Sequence, residues 1–174
     1  MTYFESIPQA FNTLVPHYLS KSWKNQFFSI KSWDNRYGDQ VAAINPKRAT
    51  DRVKAYLNME EIIRVNHLLY GMGKKEVSIR FGFEKKGKGY HGERGDFCLV
   101  GGAIKGRHLT LFYRSLEMIG GFGYDLHLIN QLGKQLNIEC WKTVTIFATH
   151  SQVFALRRNS NEALYPKLLK IMET

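Results

Sequence analysis

Along residues 77 to 149 the hydrophobic period changes from two residues to about 3.6 and back to two, which demands strands, then a helix, then a strand. Val77-Ser78-Ile79-Arg80-Phe81-Gly82-Phe83 alternates as a strand with one buried face. The apolar runs 96–103 and 108–114 flank Ile104-Lys105-Gly106-Arg107, where a Lys-Gly pair suits a tight turn, so they predict a β-hairpin. After Gly120, Gly121 and Gly123, residues Leu126, Ile129, Leu132 and Leu136 make an amphipathic helix that closes near Asn137. A strand over 143–149 and a helix-like C-terminus follow. Strands that arrive in a run predict an α+β fold, a mixed or antiparallel sheet packed with helices, over a doubly wound one.

Upstream, Thr50 or Asp51 is placed to cap a helix whose apolar positions Val53, Leu57, Ile62, Val65, Leu68 and Leu69 run to Gly71, with a break at Asn58-Met59. Pro8 and Pro16 punctuate residues 1–30, which predicts short helical or irregular pieces. Gly87, Gly89, Gly92 and Gly95 among lysines predict a mobile basic loop over 84–95 that closes over a ligand. With 174 residues, 44% of them hydrophobic and 23% charged, the chain fits one domain over 1–174. Cys98 and Cys140 lack the spacing of a zinc site or a disulfide scaffold, which predicts a reducing, cytoplasmic setting. His67, His91, His108, His127 and His150 show no metal-ligand spacing. No run of about 18 apolar residues and no leader pattern occurs, so no membrane partner is expected. A net charge of +10 points to a polyanion or a phosphate-bearing partner, or serves solubility alone.

The chemistry concentrates in the segment 111–126. Arg114 and Ser115 stand at a predicted strand end before the glycine-rich turn. Arginine offers a planar fork of donors matched to phosphate oxygens, serine adds a hydroxyl, and glycines let backbone approach a ligand. The bland alternative is a surface ion pair beside an ordinary helix start.

This segment resembles the thymidylate synthase family pattern Y-Q-R-S-x-D-x-x-x-G-x-P-x-N with the same internal spacing. The resemblance assigns Arg114 and Ser115 to the nucleotide phosphate and puts Glu117 at the aspartate near the base. Ile146-Phe147-Ala148-Thr149-His150 resembles the family's H-x-Y-x-N-H segment, with His150 at its final histidine. Lys74-Lys75-Glu76-Val77-Ser78 resembles the S-R-R-I-I run, whose arginines reach the neighbouring subunit's phosphate. The three segments span about residues 70 to 158, while the N-terminal third matches poorly.

The departures carry equal information. Counting back from Arg114 without a gap, the catalytic cysteine position is Arg94 and its neighbouring histidine is Gly95. Cys98 becomes the nucleophile only with a four-residue gap, and otherwise reads as a small buried hydrophobe. The asparagine that reads uracil is Asp125, an acceptor suited to the amino group of cytosine, to a base at N3-H, or to a helix cap. Tyr124 and His150 complete the expected base-binding group, whereas the sugar-binding histidine and tyrosine become Thr145 and Phe147.

The resemblance therefore implies a base-modifying transferase, similar to phage pyrimidine hypermodification proteins, in the cytoplasm of an infected bacterial cell. It would transfer an amino acid or amine to an activated hydroxymethylpyrimidine in DNA. Arg114, Arg94 and the lysines of 85–88 would stabilise the leaving group, and Glu117 or Asp125 would take the amine's proton. The alternatives are a methyl- or hydroxymethyltransferase using methylenetetrahydrofolate with Cys98 as nucleophile, and an inactive nucleotide- or DNA-binding module. A homodimer is implied in either case, through Lys74 and Lys75.

Overall fold

The computed structural model describes residues 1–20, 22–82, 98–153 and 159–173. The expected loop 84–95, with Arg94 and the lysines of 85–88, lies outside the described residues.

The sheet is seven-stranded and mixed. Its strands are β1 (Thr2–Phe4), β2 (Trp23–Ile30), β3 (Glu76–Arg80), β4 (Leu99–Lys105), β5 (His108–Tyr113), β6 (Leu116–Glu117) and β7 (Thr143–Gln152). The order is β1-β2-β7-β5-β4-β3, and β6 continues beside β7 past the end of β5. β3-β4-β5 is an antiparallel meander, β5 and β7 are parallel, β7 and β2 antiparallel, and β1 and β2 parallel. The hairpin turns at Gly106, whose φ of 58° is the left-handed conformation that glycine adopts without strain.

The parallel β5–β7 pair needs a crossover, which α5 (Phe122–Gln135) supplies. Phe122, Leu126, Leu128, Ile129 and Leu132 are all buried, so α5 is apolar on more than one side, as a helix between layers must be. One side meets the sheet through Phe28, Tyr113 and α1 (Ile7–Ser20), with Phe122 stacked on Phe11 at 5.6 Å. The other carries α2 (Asn35–Ile44) and α3 (Pro46–Tyr56). Here Gly38 is required, because a Cβ would lie 2.4 Å from Asn130 Nδ2 and 2.6 Å from Leu126 O. Asn130 braces the contact, donating to Asn35 O and accepting from Trp33 Nε1. Beyond α3 come α4 (Met59–Asn66), a π-helical turn His67–Gly71, and finally α6 (Asn159–Met172).

The expected strand, hairpin, central helix and final strand are present, and the strand pairs with the hairpin. Residues 1–30 differ: they form a 14-residue helix and the strand β2, which pairs with β7. Burial explains the difference. Ile7, Phe11, Leu14, Val15 and Tyr18 form an apolar stripe whose packing outweighs the backbone hydrogen bond lost at Pro16. The helix expected from Thr50 begins at Pro46, with Asn45 as its cap. It stops at Leu57, and Asn58 caps α4, so the expected break is real.

Candidate functional site

The site forms where the hairpin's open end meets α3 and the start of α5. Arg114 N–H donates to Cys98 O at 2.7 Å, the residue pair just beyond Leu99 and Tyr113 in the β4–β5 register. From the other side the Thr149 hydroxyl donates to Arg114 O. The backbone at Arg114 is thus pinned between β4 and β7. Cys98 is half-buried, and the Arg114 charge acts on its thiol. Burial pushes this thiol up, and the charges of Arg52 and Arg114 pull against that rise. Cys98 N–H also donates to the Tyr56 hydroxyl at 3.2 Å.

Behind the thiol lies a buried ion pair. Arg52 of α3 grips Asp125 of α5 with both ends of its fork, Nε to Oδ1 at 2.6 Å and Nη2 to Oδ2 at 3.0 Å. Tyr113 adds a hydrogen bond to Oδ2 at 2.8 Å. Asp125 is 0% exposed and the Arg52 side chain 16%. Burial alone would lower the Arg52 pKa, but Asp125 more than reverses this and holds the guanidinium charged. Tyr113 is held well above the usual phenol range, by burial first and by the Asp125 carboxylate second. Arg52 also lies over the Tyr56 ring at 4.9 Å, which connects the pair to the Cys98 backbone.

The other expected residues take varied places. Glu117 directs its carboxylate to backbone amides, Oε1 to Ile119 and Oε2 to Gly120 and Gly121, and so caps the turn leading into α5. Asp125 spends its lone pairs on Arg52 and Tyr113, and its side chain caps no helix N-terminus. Tyr124 is buried under the Arg48 guanidinium, 4.9 Å from its ring centroid, rather than beside Cys98. Ser115 is half-buried next to Arg114, and β7 carries His150 past the end of β5 towards it. Lys74 and Lys75 precede β3, beside Lys105 and the Gly106 turn, at the opposite end of the sheet. One protomer therefore does not bring them to Arg114.

Arg52, Tyr56 and Tyr113 were not anticipated. The buried stripe of α3 is Ala49, Ala55 and Tyr56 with Arg52 on the same side, not the Val53–Leu57 stripe expected, and both of these are only partly buried. An arginine among small residues at helical spacing was the available signal. Among the described residues, no group of three His, Cys, Asp or Glu is placed to hold a metal ion. No helix among them is long and apolar enough to cross a membrane. Comparison with known proteins gives no matching family model, no matching curated protein and no matching solved structure.

Proposed function

We propose that this chain is a thymidylate-synthase-like transferase that modifies a pyrimidine base, with Cys98 as its nucleophile and Arg114 as both thiol partner and phosphate ligand. The observation that carries the reading is the backbone pairing that sets Cys98 beside Arg114, Arg114 N–H to Cys98 O at 2.7 Å. The ungapped count from Arg114 falls on Arg94, whereas strand pairing sets Cys98 opposite Arg114. The hairpin would then be four residues shorter than the family's. Two residues lost from each strand preserve which side chains face inward, because strand side chains alternate with a period of two.

The chemistry begins when the Cys98 thiol gives its proton to solvent and stands as a thiolate beside a pyrimidine. Its sulfur adds to C6, and the electron pair moves onto C5 and the neighbouring carbonyl. Where C5 bears a methylene with a leaving group, that pair expels the group and leaves an exocyclic methylene. An amine adds to this carbon and gives up a proton to solvent; the thiolate then leaves C6 and restores the ring double bond. Arg114 steadies the thiolate and the substrate phosphate, and the Arg52–Asp125–Tyr113 network fixes the floor beneath them. Glu117 holds the turn on which Ser115 and α5 are set, which is a positioning role.

A second copy of the chain fits this reading. Lys74 and Lys75 reach a phosphate site only in a neighbouring subunit, and the sheet leaves an aromatic face open for such a neighbour. The test is mass spectrometry of nucleosides from DNA and free nucleotides incubated with the protein. Parallel reactions supply amino acids with a 5-substituted, activated pyrimidine, or methylenetetrahydrofolate with dUMP and dCMP. An amine adduct that needs Cys98 supports the proposal. A one-carbon product would assign the donor to folate, and no product with any donor would leave a binding module.

A further inference from the structure

Arg48 lies one helical turn before Arg52 on α3 and has a different fate. Asn45 caps the helix by accepting from Arg48 N–H at 3.0 Å, which sets the first turn. The guanidinium stacks 4.9 Å from the centroid of the buried Tyr124 ring, and Nη2 reaches Gly120 O at 3.5 Å. Arg52 is neutralised by Asp125, whereas no carboxylate among the described side chains pairs with Arg48. A half-buried arginine, immobilised on an aromatic ring and left without an anion, is a fork already arranged for one.

Space adjoins it. A recess of about 200 Å³ is lined by Asn45, Arg48, Tyr124, Leu164 and Lys167, and a second of about 310 Å³ by Gln40, Lys170 and Ile171. The two share Ile44 and Lys167, no acidic residue among the described side chains lines either, and the first alone holds several waters' volume. A lining that combines Arg48, Lys167 and Lys170 with Ile44, Leu164 and Ile171 suits a ligand with a carboxylate head and an apolar stem.

We infer that the recess between α3, the start of α5 and α6 binds a small-molecule carboxylate anchored by Arg48. That the ligand is the amino-acid donor rests on the function proposed above; the carboxylate site itself does not. Titration of the intact protein with L-leucine, followed by NMR line shifts, should show saturable binding that leucinamide and inorganic phosphate do not match. Arg48→Met should weaken leucine binding at least tenfold at an unchanged melting temperature, Arg48→Lys less, and Lys167→Met a few-fold. Leucinamide or phosphate binding as tightly as leucine overturns the inference. So does an absence of leucine binding, or retention of full affinity in both Arg48→Met and Lys167→Met. The titration contains no pyrimidine, so it fails or succeeds independently of the Cys98 chemistry.

Discussion

Cys98 lies between opposing influences, and their balance is measurable. Burial raises its pKa while Arg52 and Arg114 favour the thiolate, and the net direction is upward. The resting protein therefore holds a thiol near neutral pH, and alkylation by iodoacetamide should rise with pH to a midpoint above that of an ordinary cysteine. Arg114→Ala removes one of the opposing charges and should move that midpoint higher; an unchanged midpoint would disconnect the two side chains. Asp125 presents the converse case, a carboxylate whose partners are all internal. Asp125→Asn strands the Arg52 charge, and the expected loss in urea unfolding is about 3–5 kcal/mol, the usual cost of breaking a buried pair. A loss of base selectivity with stability intact would instead make Asp125 a base reader. The sequence made Asp125 and Arg114 visible through one motif, but the partner Arg52 is 73 residues from Asp125, beyond any local pattern.

The hairpin β4–β5 is the element from which the site is read. Its strands and the Gly106 turn were legible because apolar alternation and turn chemistry are local. The pairing partner of Arg114 was not, since counting along the chain fixes a position only when loop lengths are fixed. Strand register, a property of two segments, selects Cys98. α1 and β2 escaped for a related reason. Pro16 argues locally against a helix, and the contacts of Phe11 with Phe122 and of Phe28 with β7 that override it come from distant segments. The start of α3 is not legible from apolar spacing, because its start signal Asn45-Pro46 precedes Val53, the first residue of the apolar stripe.

At the scale of the whole molecule, the helices cover one face of the sheet and leave aromatic residues on the other. Phe27, Phe147 and Phe112 stand in register across β2, β7 and β5, with ring centroids 5.9 and 6.2 Å apart. Phe27 and Phe112 are each 42% exposed, and Ser29 bonds Thr145 in the adjoining row. A contiguous exposed aromatic band on a sheet is costly unless something covers it. We expect a second copy there: sedimentation at micromolar protein should give a dimer, and Phe112→Asp with Phe147→Asp should yield monomers. A monomeric wild type would refute the cross-subunit role of Lys74 and Lys75. The charge of +10 fits a nucleic-acid substrate, whose affinity should fall steeply with salt while a mononucleotide's changes little.

The central claim is that the Cys98 sulfur adds to C6 of a pyrimidine held by Arg114. Addition makes C5 a proton acceptor, so it is read without any donor as exchange of the C5 hydrogen for deuterium in D2O. Deoxyuridine and deoxycytidine, as monophosphates and within DNA oligonucleotides, cover both bases and both substrate forms. The account predicts exchange with at least one of the four that is abolished by Cys98→Ser and strongly slowed by Arg114→Ala. Exchange that survives Cys98→Ser, or its absence from all four with the folded wild-type protein, would contradict it.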